Sequence, residues 1–473
     1  MKTKKLFAVL LLIVAVFGTN VTTAATPTAK NSPNPKQKPL VSKLPKKGKI
    51  VNESYNETLG YKDLELSNGV HVLIKPVGSE NGEIVMSAQQ KGGKSLYGKE
   101  DWANCEFFNF VIGDYRMASW DAAPDNKQAT ILQSMDFDVD YISGSATAQN
   151  LETLFQLTYL RFTGAIARDE DRFNTALQNY ETTLREEALE DHDATGIFLD
   201  SIGSVLHNHN WRYKSLKAED LARVNYDRIL EIAKERTANA AGYTFVFTGA
   251  FKEATIRPLI ERYIASLPAD KNVKSNWANV ATYPQGDVVC HFSSKMDNPV
   301  TKINIRWINT QIPYSQENYL KAQFLSNLLK KTFWSTMGEN VGVIGRVGGN
   351  EQHYTVGDVT FTEVHSFVDV KPECANEAIR MLKEEMFKAC GHIDAESLEN
   401  LKKQELEMYK NRPARNDCWY WSSVISSYAI SGIDYTTDEE QILNGITPET
   451  LSAFARQLLS TGSRIEIVMS PAE

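Results

Sequence analysis

Cysteine is scarce in this sequence: five in 473 residues (Cys105, Cys290, Cys374, Cys390 and Cys418), an odd number with no CxxC pair. That spacing excludes a disulfide scaffold. Cys374 and Cys390 flank a helical pattern about 24 Å long, too far to bridge, so the thiols read as free. The one long apolar run, Leu6–Gly18, is shorter than a membrane span, and the composition excludes a polytopic membrane protein. Basic excess is missing too. The net charge is −8, and all ten residues of charge in positions 1–49 are lysines, so the rest of the chain is more acidic still. An acidic body lacks the clustered cations that nucleic-acid binding requires. There is no G-x-S-x-G elbow, P-loop or G-x-G-x-x-G. The histidines are His71, His192, His207, His209, His291, His353, His365 and His392. No two stand four apart, so both H-E-x-x-H and H-x-x-E-H are absent.

What is present begins with an export signal. Lys2, Lys4 and Lys5 precede the apolar run, and small residues follow it to Ala25, the pattern of a cleaved secretory leader over residues 1–25. The expected destination is periplasmic or secreted. Residues 26–55 are rich in Pro, Lys and Thr and read as a disordered basic linker. A first α+β domain is expected over 56–270 and a second over 285–473, separated by a polar, structureless stretch. Asn68-Gly69 between alternating residues signals a hairpin, with His71 as a packing residue of its second strand. Strands are expected at 84–90, 242–249, 288–292, 300–309, 345–347, 358–370 and 464–469. Helices are expected at 100–112, 150–162, 169–190, 220–235, 252–266, 316–333, 372–390, 395–409, 418–430 and 447–459. Within 169–190, Phe173, Ala176, Leu177, Tyr180 and Leu184 recur at helical spacing and form one buried stripe. Both halves run strands, helices, strand, which reads as an internal duplication with mostly antiparallel sheets.

Chemistry is hard to find in these residues. His207 and His209 are the one histidine cluster and the weak candidate for a metal pair. Glu186-Glu187 and Glu190–Asp193 read as a solvated helix end. Trp419 and Trp421 are candidate stacking residues for a peptide or glycan.

Several segments together resemble the pitrilysin/insulinase family of zinc metallopeptidases. They are Leu66-Ser-Asn-Gly-Val-His-Val-Leu-Ile, the Gly92-Gly93-Lys94-Ser95 turn, His209-Asn-Trp-Arg-Tyr213, Leu325-Ser-Asn-Leu-Leu and Glu339-Asn-Val-Gly342. The resemblance spans roughly residues 56–473 and implies one half of a clamshell assembly. Where active members carry H-x-x-E-H, this sequence has Asn104, Phe107 and Phe108 in place of His, Glu and His. Neither Phe can ligate zinc or act as a general base. Glu181, Glu186 or Glu187 would stand where the family's third ligand lies. The family's substrate-holding Arg and Tyr fall on Gly338 and Gly345, with Arg346 as an adjacent weak candidate. The resemblance therefore implies an inactive homologue without catalytic zinc. Its expected partner is a homologous active subunit that completes a peptide-enclosing chamber, as in the mitochondrial processing peptidase, or a second copy of itself. The rival readings are a metallopeptidase with non-standard ligands and a stand-alone envelope peptide- or glycan-binding protein.

Overall fold

Alternation dictates the first hairpin. Leu64, Leu66, Val72 and Ile74 are buried on one face, and Gly69 between them takes φ 84°, a left-handed conformation that glycine adopts without a Cβ clash. The computed structural model describes residues 40–79, 82–112, 129–164, 168–190, 194–296, 298–337, 342–411, 417–434 and 436–472, with backbone alone at 187–190, 332–337 and 411. The first sheet holds β1 (Ile50–Asn56), β2 (Tyr61–Leu66), β3 (His71–Pro76), β4 (Glu83–Lys91), β5 (Ala129–Met135), β6 (Val139–Thr147) and β7 (Thr244–Gly249). The second holds β8 (Asp287–Ser294), β9 (Thr301–Asn309), β10 (Val343–Val356), β11 (Val359–Val370) and β12 (Ser463–Pro471).

The strand orders expose the duplication. The first sheet runs β1-β2-β3-β7-β4-β6-β5 and the second β10-β11-β9-β12-β8. Read from its other end, the second repeats β3-β7-β4-β6-β5. β3 and β7 are parallel, as are β8 and β12, and the remaining three pairings are antiparallel in both sheets. The fold is α+β, built from two related units.

The helices are α1 (Trp102–Ile112), α2 (Leu151–Thr163), α3 (Glu170–Glu190), α4 (Ala194–Leu206), α5 (Tyr226–Thr237), α6 (Glu253–Leu259), α7 (Gln316–Met337), α8 (Ala375–Gly391), α9 (Ala395–Asn411), α10 (Cys418–Ser431), α11 (Glu439–Gly445) and α12 (Pro448–Ser460). α2 covers one face of the first sheet, and α7, α8 and α12 cover one face of the second. The opposite faces are covered by exchange. Val424 and Ile425 of α10 pack on Leu59, Tyr61, Leu73 and Val246 of the first unit. Phe198, Ile202 and Val205 of α4 pack on Ile308, Phe361, Ile465, Ile467 and Met469 of the second. Each unit therefore buries apolar surface of the other, and separating them would expose both seams to water.

Several expectations change. Order begins well before residue 56: Val41 is buried in the first core, the Leu40 amide donates to Gln156 Oε1 at 2.8 Å, and β1 starts at Ile50. The stretch after Ala269 has no regular structure but is pinned, with Asn239 Nδ2 donating to the Asp270 and Val273 carbonyls and the Ala278 amide donating to Ser95 Oγ. His71 is on the solvent side of β3, 2.9 Å from Asp63, which raises its pKa by hydrogen bonding. The strand expected at 345–347 is the start of the much longer β10. Among the described residues, no helix is long and apolar enough to cross a membrane.

His353 of β10 gives the fold a pH dependence. It is 5% exposed, its Nδ1 lies 2.8 Å from Thr362 Oγ1, and its Nε2 accepts the Ser315 amide at 3.2 Å. An imidazole that accepts an N–H cannot be protonated at that nitrogen, and burial lowers its pKa to about 4. The neutral form is favoured in the folded state, so this stability is complete above the ordinary value near 6.5 and lost as pH falls from there toward 4. The full loss is up to about 3 kcal/mol. Denaturant midpoints at pH 7 and pH 5 should differ accordingly, and His353→Gln should reduce the difference, the remainder coming from His207, whose pKa burial lowers to about 4 as well.

Candidate active site

The turn that leads into α1 is built on glycine. Gly92 and Gly93 have φ of 152° and 58°. A Cβ on Gly93 would sit 2.3 Å from the Asp136 carbonyl, and one on Gly92 would sit 2.3 Å from Arg236 Nη2. This close approach lets the backbone bond to the β5–β6 turn, through Gly92 N to Asp138 O and Lys94 N to Asp136 O, both 2.8 Å. Beneath it the Asp140 carboxylate accepts from Arg236 Nε and Nη2 at 2.8 and 2.7 Å, from Gln90 Nε2 at 3.2 Å and from Gly93 N at 3.3 Å. The pair is nearly sealed from solvent, at 2% side-chain exposure for Asp140 and 13% for Arg236. Burial is the largest influence on Asp140 and raises its pKa against the pull of Arg236. Arg228 then holds Asp101, just before α1, with a bidentate pair at 2.9 and 2.8 Å.

On α1, Asn104 and Phe108 share a face, one turn apart. Asn104 is buried, and its Oδ1 accepts the Asn225 amide at 2.7 Å. Asn225 is in turn the N-cap of α5, through its side chain to the Arg228 amide. The Asn104 carboxamide thus ties the start of α5 to α1. Phe107 and Phe108 are fully buried. Phe107 stands in an aromatic nest, 5.4 Å from Phe110, 5.6 Å from Tyr180 and 6.3 Å from Phe173 between ring centroids. Phe173 stacks on Tyr226 at 4.4 Å, which carries the nest onto α5.

α3 presents its apolar side to this nest. The stripe expected from spacing is found: Phe173, Ala176, Leu177, Tyr180 and Leu184 all pack here. Two of the acidic residues are described, and both lie away from the nest. Glu181 pairs with Arg185 on the surface and Glu186 is exposed; the Glu187 side chain lies outside the described residues. A zinc ion needs three or four N, S or O donors converging within about 2.0–2.3 Å. The three residues that the resemblance aligns with the metal donors are here two buried phenyl rings and one committed carboxamide. Among the described residues, no three His, Cys, Asp or Glu side chains converge in a metal-holding group.

The other candidates are dispersed. His207 lies in the turn after α4, stacked on Tyr213 at 3.6 Å, and burial lowers its pKa to about 4. His209 has φ 56° and turns to Ser204 Oγ at 2.8 Å. The left-handed turn at Asn208 and His209 sends the two rings to different partners. Gly338 lies outside the described residues. A Cβ on Gly345 would meet Asp369 at 2.8 Å. The same Asp369 takes Arg346 Nε at 3.3 Å while Phe367 lies under the guanidinium, whose side chain remains 45% exposed. Trp419 Nε1 donates to Glu83 Oε2 at 2.9 Å and Lys75 Nζ lies 3.9 Å from the Trp421 ring centroid. Both indoles therefore serve the seam between the units. Sequence reasoning missed the Asp140–Arg236 pair, whose partners are 96 residues apart and carry no local signal.

Residues 223–405 match the family described as Peptidase M16 inactive domain. A zinc protease PQQL-like protein of Arabidopsis thaliana is 21% identical over 229 residues, 48% of this chain and 22% of that protein. The crystal structure of the periplasmic protease PqqL from Escherichia coli superposes with a TM-score of 0.76 at 17% identity, over 96% of this chain and 49% of that one. A peptidase M16 inactive domain from Pseudomonas fluorescens superposes with a TM-score of 0.64 at 10% identity, over 87% of this chain and 98% of that one. The chain thus spans about half the length of the solved PqqL protease and nearly all of the solved inactive domain.

Proposed function

We propose that this chain, whose residues 223–405 match the Peptidase M16 inactive domain, is an exported, non-catalytic half of a pitrilysin-type peptidase that joins a zinc-bearing half to enclose peptides for proteolysis. The observation that carries this reading is the replacement of metal donors by packed aromatic core on α1, with Asn104 bound to the α5 cap. In this reading the chain holds no zinc and contributes walls, not chemistry. Its extent, about half of PqqL, is that of a single unit of a two-unit chamber. A zinc-bearing homologous subunit fits this role better than a second copy, because a homodimer would contain no metal donors at either α1. β5, packed beside α1, is the outer strand of its sheet and exposes Leu132. Among the described residues its outer edge has no strand partner, and such an edge offers backbone groups to an extended peptide.

Export follows from the leader pattern and accords with the periplasmic location of PqqL. A metallopeptidase using His207 and His209 is disfavoured by their separate partners, and a glycan platform on Trp419 and Trp421 by their role in the seam. The test is co-purification from the native source followed by peptide hydrolysis. The chain alone should leave unstructured peptides intact with zinc present. It should co-elute with an H-x-x-E-H homologue whose activity rises when the two are mixed. Chelator-sensitive hydrolysis by this chain alone, abolished by His209→Ala, would overturn the reading.

A further inference from the structure

A strap of ten residues runs from the first core to β1, and its chemistry differs from the rest of the body. Val41 is buried at one end. At the other, the Gly48 amide donates to the Glu261 carbonyl at 2.9 Å and the Lys49 amide to Ser67 Oγ at 3.1 Å. Gly48 has to be glycine, because a Cβ there would lie 2.5 Å from the Ala265 carbonyl. Between these anchors Lys43, Lys46, Lys47 and Lys49 are all exposed, and so is Leu44, at 51%. Val51 and Tyr55 of β1 continue the apolar exposure at 57% and 54%. In sequence, Lys30, Lys36 and Lys38 precede the strap, and the first acidic residue of the whole chain is Glu53. Glu53 shares Lys62, at 3.3 Å, and Arg257, at 2.7 Å, with Glu253, and Lys47 lies 3.8 Å from Glu261, which leaves Lys43, Lys46 and Lys49 as the outward cations of the strap.

The result is a basic patch seeded with apolar side chains on a protein whose remaining surface is acidic. We propose that the strap and the outer side of β1 form a peripheral docking surface for an anionic phospholipid bilayer. The cations are lysines throughout. They are compact point charges suited to a diffuse anionic surface, without the planar fork that reads a single carboxylate or phosphate. Leu44, Val51 and Tyr55 are spaced among them to enter the headgroup boundary. The acidic body is repelled by the same surface, so contact is restricted to this patch and the orientation is fixed. The anchors hold the patch rigidly to the first unit, which places the rest of the assembly at a set height above the membrane.

The test is co-sedimentation of the chain beginning at Thr26 with phosphatidylcholine vesicles, with and without phosphatidylglycerol. Binding is expected to the phosphatidylglycerol vesicles alone and to fall steeply with added salt. Reversing Lys43, Lys46, Lys47 and Lys49 to Glu should weaken it by at least about fivefold per lysine, and Leu44→Asp should weaken it further. These side chains are exposed, so circular dichroism of the variants should match the parent. Reversing four exposed lysines elsewhere, Lys234, Lys271, Lys403 and Lys410, should leave most of the binding. Equal binding to neutral vesicles, no binding to either, or equal losses from the two sets of reversals would overturn the proposal.

Discussion

Rebuilding the metallopeptidase motif by Asn104→His, Phe107→Glu and Phe108→His is expected to unfold the first unit, not to create a peptidase. Phe107 is fully buried among Phe110, Phe173 and Tyr180. Removing its ring alone costs about 3–5 kcal/mol. A glutamate placed there would enter an apolar nest, and Arg168, which lies over the Tyr226 ring, is already paired with Glu170 and Asp227. Burying that carboxylate unpaired adds several kcal/mol more. Asn104→His also replaces the oxygen that accepts the Asn225 amide with a bulkier ring, and leaving that buried donor unpaired costs about 1–3 kcal/mol. Phe108→Leu, which keeps the site apolar, should cost far less and serves as the control for folding. Thermal unfolding should place the triple variant far below the parent, and no zinc-dependent hydrolysis should appear.

The second large effect is expected at the floor of the turn. Arg236→Ala leaves Asp140 buried beneath Gly92 and Gly93 without its two guanidinium bonds. Breaking a buried pair from one side costs about 3–5 kcal/mol, because the remaining charge is uncompensated. Part of that is relieved by protonation, and since burial already raises the pKa of Asp140, the deficit of the variant relative to the parent should narrow as pH falls, while both lose stability alike through His353. Replacing both partners, Arg236→Met with Asp140→Leu, should be less damaging than Arg236→Ala alone. Urea midpoints of the three proteins at pH 7 and pH 5 read this directly.

Much of the fold was legible because periodicity is local. The α3 stripe, the Asn68-Gly69 hairpin and nearly all the helix limits follow from residues within one or two turns of each other. The missed elements show what periodicity cannot report. α4 carries Gly196 and Gly203, which lower its intrinsic helicity, and its apolar side is matched to the second sheet, far away in the chain. β5 and β6 went unread because β6 mixes Ser, Gly and Thr with few apolar residues. β10 looked like a short strand because Gly345, Gly348 and Gly349 interrupt its pattern. Those glycines make room for Asp369 and Phe367 and for the His365 backbone on β11. The reciprocal exchange of α4 and α10 between sheets is a tertiary fact with no sequence period.

The site was legible mainly by subtraction. Residue identity alone said that Asn104, Phe107 and Phe108 lack metal donors. That Asn104 instead accepts the amide of Asn225, the N-cap of α5, and that Phe107 is the centre of an aromatic nest, depends on Asn225, Phe173 and Tyr226, which no spacing rule connects. His207 and His209 looked like a pair because they are two apart, but the left-handed turn between them separates their side chains.

The central claim is that hydrocarbon core occupies the place of a catalytic metal on α1. The most direct measurement is metal content of the purified chain after equilibration with zinc and removal of loosely bound ions, made on the parent and on Asn104→Ala. The account predicts no retained zinc in either protein. Zinc held at one ion per chain by the parent and lost on Asn104→Ala would contradict it.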